Sequence, residues 1–382
     1  MSTSTALVGD VGRAQRVSTR VAFFIAGFVM ASWAPLVPLA KARAGLDDGT
    51  LGLLLLGLGG GSILAMPFAG YLTAHRGCRW VMVTSALLLC LLLPVLAMAP
   101  GRVSLAIALA LFGASMGLLD CAMNIQAVLV EKATDEAVMS GFHGMYSLGG
   151  IAGAAGMTAL LSLGLQALPA ALVVVALVLV ALWHSGAAFL RQGSERDGPL
   201  FAVPRGIVLF LGGLCFIVFL TEGAMLDWSA VFLVSTRDID PALAGLGYAA
   251  FAATMTLGRL TGDALVNRLG GVRVVLLGGA CAAAGMALAL VLPGWPAALA
   301  GFALVGAGCS NIVPVLFSAV GRQRRMPQAS AIPAMVSLGY AGILLGPASI
   351  GFLAHWLNLS WALASLVVLL LFVSASARYL RG

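Results

Sequence analysis

Residues 145–156 read MYSLGGIAGAAG and residues 335–346 read MVSLGYAGILLG, a shared Met-x-Ser-Leu-Gly followed at the same distance by glycine, 190 positions apart. An offset near 190 recurs elsewhere. Gly70-x4-His-Arg-Gly77 is answered by Gly262-x4-Asn-Arg-Leu-Gly270, and Asn124 by Asn311, at offsets of 192 and 187. A register that persists through the whole chain implies two similar halves in parallel orientation. The expected division is an N-terminal six-helix bundle (1–190), a polar cytoplasmic linker (191–205, RQGSERDGPLFAVPR) and a C-terminal six-helix bundle (206–382).

Composition sets the solvent. Of 382 residues 61% are hydrophobic and 9% charged, with a mean hydropathy of +1.05, whereas a soluble domain carries about 25% charged residues. Inside a bilayer the backbone must satisfy itself within each segment, so apolar runs of about twenty residues read as spanning helices. Such runs fall near 21–40, 51–73, 80–99, 103–129, 139–163, 168–190, 206–234, 243–266, 273–292, 297–320, 329–354 and 358–376. The expected fold is therefore all-α, twelve transmembrane helices in two pseudo-symmetric bundles.

With the N-terminus in the cytoplasm, seventeen of the 21 Lys and Arg lie inside, leaving only Lys41, Arg43, Arg102 and Arg237 outside. That asymmetry obeys the positive-inside rule and places both termini in the cytoplasm of a bacterial inner membrane. The first run shows no cleavage signal and reads as a retained helix. The net charge of +7 is spread thinly between apolar runs, which speaks for topology rather than nucleic acid. Six scattered cysteines without CxxC spacing point to neither disulfides nor a metal site. No G-x-x-x-x-G-K-[ST] occurs, and no nucleophile is paired with a base. Cofactors, ATP-driven pumping and enzymatic activity are all unexpected. The glycine runs, 56–62 and 149–156, read as close-packing surfaces between helices.

The paired loops resemble those of the major facilitator superfamily, and the resemblance spans the chain. That family carries G-x-L-x-D-R-x-G-R-R after its second helix and again after its eighth. GYLTAHRGCR (70–79) keeps Gly70, Gly77 and Arg79 and has Arg76, but places Ala74 and His75 where Asp and Arg are usual. GRLTGDALVNRLGGVR (258–273) supplies Arg259, Gly262, Asp263, Asn267 and Arg268. The resemblance implies a cytoplasmic gate at these nine residues, in which glycines admit close helix approach and charges latch one half to the other. GLLDCAMNIQAVLVE (117–131), SGFHGMYSLGG (140–150), EGAMLDWSAVFL (222–233) and SNIVPVLFSAVGR (310–322) look like the fucose-permease-like branch. That implies a secondary transporter, energised by the proton gradient, taking up a sugar or polyol-like solute as a monomer.

An ionised group at mid-bilayer costs roughly 2.5–3.5 kcal/mol and needs a reason to be there. Asp120 and Asn124, at i and i+4, share one helical face, either toward a central cavity or in an interhelical hydrogen bond. An acid on helix four serves proton coupling in the fucose permeases, and Asp120 matches it. The acid those permeases bear on helix one is missing here. Glu222, opposite Gly27 in the repeat, is the candidate substitute, with a partnership to another helix as the other reading; Asp227 lies further out. His143 could relay protons, Asn311 could present an amide, and Trp33, Trp228 and Tyr340 could stack on a sugar ring or simply pack. Proton-antiport efflux is the rival reading, weakened because helix five has no proline and Gly346-Pro347 lies only in helix eleven. A transporter-like sensor would want a larger cytoplasmic domain than the tail after helix twelve.

Overall fold

The computed structural model describes residues 11–134, 136–193 and 203–380; most of the expected linker, Arg196 with it, and Arg381 lie outside the described residues. Among them every regular element is helical. In chain order these are α1 (Arg13–Ser32), α2 (Val37–Ala44), α3 (Asp48–Arg76), α4 (Cys78–Met98), α5 (Arg102–Thr134), α6 (Met139–Ser162) and α7 (Ala167–Ser185). They continue as α8 (Ile207–Arg237), α9 (Leu246–Leu269), α10 (Gly271–Val291), α11 (Trp295–Cys309), α12 (Ile312–Arg322), α13 (Gln328–Trp356) and α14 (Leu359–Ser376).

Among the described residues eleven helical spans are long and apolar enough to cross a membrane, with α1 and α2 forming one and α11 and α12 another. The remaining expected run is α9, helical over 24 residues. It drops out of the apolar set because Arg259 and Asp263 lie within its length. The twelve expected runs are thus all helical, and one of them is polar for a reason taken up below.

Prolines account for both broken spans. Pro35 and Pro38 lack the N–H that α1 would need to continue, and a 3-10 turn over Ala34–Leu36 bridges to α2. In the tenth span α11 stops at Cys309 and α12 resumes at Ile312, just before Pro314. Sharp turns are set by glycine: Gly77 (φ 82°) alone separates α3 from α4, and Gly270 (φ 79°) alone separates α9 from α10, a left-handed region that side chains avoid. The glycine that ends each loop pattern is therefore a turn requirement before it is anything else. Asp47 caps α3 by accepting from Thr50 N at 2.8 Å, and Asn358 caps α14 by accepting from Trp361 N at 3.0 Å.

Small residues do the packing expected of them in lipid. Gly149 and Gly153 of α6 lie against the backbone of Phe24 and Phe28 in α1, where no side chain would fit.

The helices form two compact units. One comprises Met1–Glu136, Met145–Val203 and Met326–Ala334; the other comprises Ala137–Gly144, Pro204–Arg325 and Met335–Gly382. Each holds an arginine that closes off a helix end in the same way. In the first unit Arg43 donates to Ala99 O (2.9 Å) and Leu96 O (3.0 Å) at the end of α4. In the second, Arg237 donates to Ala289 O (2.9 Å) and Leu290 O (2.7 Å) at the end of α10. Carbonyls left over where a helix stops favour a cation, so the two sites are chemically equivalent as well as equivalent in the repeat.

Candidate functional site

In the second unit the site is assembled around the break in the tenth span. The carbonyl of Ser310 would ordinarily accept from the amide four residues on, but that residue is Pro314, which has no N–H. Arg259 of α9 fills the gap: its Nε donates to Ser310 O at 3.3 Å. Its Nη2 donates at 2.9 Å to Glu222 Oε1 on α8. The pair is enclosed, with 8% of the Arg259 side chain and 17% of the Glu222 side chain exposed. Asn311 completes the arrangement, donating from Nδ2 to Gly258 O (2.9 Å) and Ser310 Oγ (2.9 Å). Its side chain packs where a Cβ on Gly262 would stand.

This corrects the sequence reading of Arg259. Grouped there with a cytoplasmic loop, it lies ten residues before the end of α9, or about 15 Å along the axis at helical rise. It is buried and tied to the break, so it does not belong with the loop residues. Glu222 takes the interhelical partnership that was one of its two readings.

In the first unit Asp120 and Asn124 do come together. Asn124 Nδ2 donates to Asp120 O at 2.9 Å and stands 3.4 Å from Asp120 Oδ1. Asp120 is only 9% exposed, and no Lys or Arg pairs with it among the described residues. Asn124 Oδ1 has no donor among them. The result is a carboxylate and an amide oxygen held inside a helical span with hydrogen-bonding capacity to spare.

The other candidates make contacts of their own. Asp227 is exposed on α8. Trp228 commits its indole N–H to Pro347 O at 3.0 Å, fastening α8 to α13. Tyr340 meets Phe219 edge-on, with ring centroids 6.3 Å apart. Trp33 is 3% exposed, and its N–H finds no acceptor among the described residues. His143, in the first turns of α6, lies with its ring 5.2 Å from that of Phe317 in the second unit.

The loop residues contact helix ends and backbone. Asp263 Oδ1 accepts from Gly141 N at 2.9 Å, so its carboxylate caps the N-terminus of α6, where backbone donors and the helix dipole favour an anion. Asn267 accepts from Ala137 N (3.0 Å) and donates to Ala137 O (3.2 Å). Gly70 lies against Ala329 and Pro333 in the first unit, as Gly262 lies against Ser140 in the second. Arg268 and Arg76 are exposed, Arg76 lying over the Trp80 ring at 5.2 Å. Arg79 and Cys78 donate their backbone N–H groups to Leu190 O (2.8 Å) and Gln192 O (3.1 Å), which docks the start of the linker on the Gly77 turn.

Sequence reasoning missed Gln126. Fully buried, it accepts from Leu190 N (2.9 Å) and donates to Thr19 Oγ1 (2.9 Å), tying α5 to α1 and to the chain leaving α7. Its presence in a buried run was the available signal.

The model of the Major Facilitator Superfamily matches residues 21–322. The chain belongs to that superfamily. Among its superfamily relatives is an uncharacterised transporter of Yersinia pestis, 55% identical over 96% of both chains. The membrane protein MosC of Rhizobium meliloti is 32% identical over 93% of this chain and 87% of its own. In fold the protein is similar to the E. coli fucose:proton symporter, with a TM-score of 0.81 at 16% identity over 96% of this chain and 98% of that one. The superfamily fold implied by the resemblance of the loops is thus the fold observed, and the protein is a membrane transporter.

Proposed function

We propose that the protein takes up a small, hydroxyl-rich polar solute together with protons, by alternating access across a bacterial inner membrane with both termini in the cytoplasm. The observation that carries this is Asp120: a carboxylate buried in a span, with Asn124 beside it and no basic partner among the described residues. Charge retained there at a cost of about 2.5–3.5 kcal/mol calls for a compensating role, and exchanging a proton supplies one. The amide oxygen of Asn124 suits a hydroxyl donor. The likeness in fold to a fucose:proton symporter supports the same reading. No bound cofactor enters the scheme; the proton gradient supplies the work, and a single chain carries the complete pathway.

The test uses purified protein in vesicles. Solute accumulates only with an inward proton gradient, and Asp120→Asn, which keeps the shape and the contact to Asn124, loses accumulation while retaining solute exchange. Normal accumulation by Asp120→Asn would remove Asp120 from the coupling role.

A further inference from the structure

Arg259 is more than its structural task requires. To satisfy one carbonyl freed by Pro314, a serine, threonine or asparagine would serve, without placing a permanent cation in a membrane span. A guanidinium instead offers five donors in a fork shaped for a carboxylate. In this structure Glu222 is the carboxylate on that fork, at 2.9 Å. Of the two side chains Glu222 is the more open, 17% against 8%. The ionisable groups close enough to feel the pair are Tyr248 on α9 and Cys309 on α11; His143 faces Arg259, and Asp227 lies one and a half turns along α8.

Resting on the proton-coupled uptake proposed above, we infer that the solute carries a carboxylate, that Arg259 holds it, and that Glu222 is its built-in stand-in. A proton adds to a Glu222 carboxylate oxygen, the contact between Nη2 and Oε1 gives way, and the carboxylate of the solute accepts from the freed guanidinium. Before the exchange the pair sums to zero. Afterwards a neutral Glu222, a cationic Arg259 and an anionic solute also sum to zero, so the empty and the loaded site carry the same net charge. An anion arriving without its proton would leave one carboxylate uncompensated in the span, which is strongly unfavourable. Loss of the proton on the far side returns Glu222 to Arg259 and expels the solute. The chemical class is an acidic sugar: its hydroxyls match the polar solute proposed above, and its carboxylate matches the arginine.

The experiment measures binding to the full-length protein in detergent, in mild acid and at neutral pH. Gluconate, glucuronate and galactarate are compared with their uncharged counterparts glucitol, glucose and galactitol. At least one acid binds, more tightly in mild acid, and its neutral counterpart does not match it. Glu222→Gln binds the acid with an affinity that no longer depends on pH. The double variant Glu222→Gln/Arg259→Gln, which replaces the ion pair by two amides able to bond each other, still unfolds cooperatively and loses about a hundredfold in affinity. Binding of the neutral compounds alone, binding of none of the three acids, or full acid binding by a folded double variant overturns the inference. Gradient-driven accumulation of a neutral polyol but of no acid ends the inference and leaves the proposed uptake standing. Acid binding without gradient-driven accumulation ends the proposed uptake and leaves Arg259 as an anion site.

Discussion

Replacing Arg259 by methionine should be far more damaging than replacing both members of its pair. The single change strands Glu222, whose side chain is 17% exposed, without its counter-charge, and breaking one side of such a pair costs about 3–5 kcal/mol. It also strands Ser310 O, which Pro314 cannot serve and which Arg259 Nε now bonds at 3.3 Å; an unsatisfied buried carbonyl adds roughly 1–3 kcal/mol. In Glu222→Leu/Arg259→Met only the second cost remains. The double variant should thus recover about 3–5 kcal/mol relative to the single one. For a unit of this size each kcal/mol moves the midpoint by about 2–4 °C, so the recovery is on the order of 10 °C. Thermal unfolding of the detergent-solubilised protein, followed by tryptophan fluorescence across wild type, both single variants and the double, reads this directly. If Arg259→Met unfolds at the wild-type temperature, or no earlier than the double variant, the pair does not hold α8 against α9 and the reasoning is wrong.

Two further outcomes follow from the geometry. Asp263→Ala removes the acceptor on Gly141 N and should weaken the first turn of α6 by about 1 kcal/mol, while Asp263→Asn, which still accepts a hydrogen bond, loses less; amide hydrogen exchange at residues 139–142 measures both, and unaltered exchange in the alanine variant would refute the cap. Gly149→Leu puts a side chain where the Phe24 backbone lies and should cost at least 1–3 kcal/mol by overpacking, seen as loss of monodisperse protein after extraction; wild-type behaviour would show that α1 and α6 are not packed as described.

The fold was legible because two signals reinforced one another. Apolar runs fixed where helices lie, and the 190-residue register fixed that there are two matched sets. Single positions were harder. The i, i+4 spacing of Asp120 and Asn124 was enough to bring them together, since both lie on one helix. Glu222 and Arg259 lie on different helices, 37 positions apart, and no local periodicity connects them. The loop pattern then drew Arg259 toward the turn, although its position ten residues inside the helix argued otherwise. Asp263 was read as half of an ionic latch because charge was sought as its partner. The contact it makes with the start of a helix involves no charged letter in the sequence. The clue to Arg259 was Pro314, whose missing amide orphans one identifiable carbonyl, but nothing in one dimension says which donor will come.

Arg43 and Arg237 also bear on how the protein is made. Each fastens a segment that emerges early to the tail end of a helix synthesised some fifty residues later. Neither clasp can form until the later helix has been threaded through the bilayer. During synthesis both arginines are therefore bare cations, without the carbonyls they later bond. Only after the later helix arrives does each become a rivet, one per bundle, so the clasp is the last part of its neighbourhood to close.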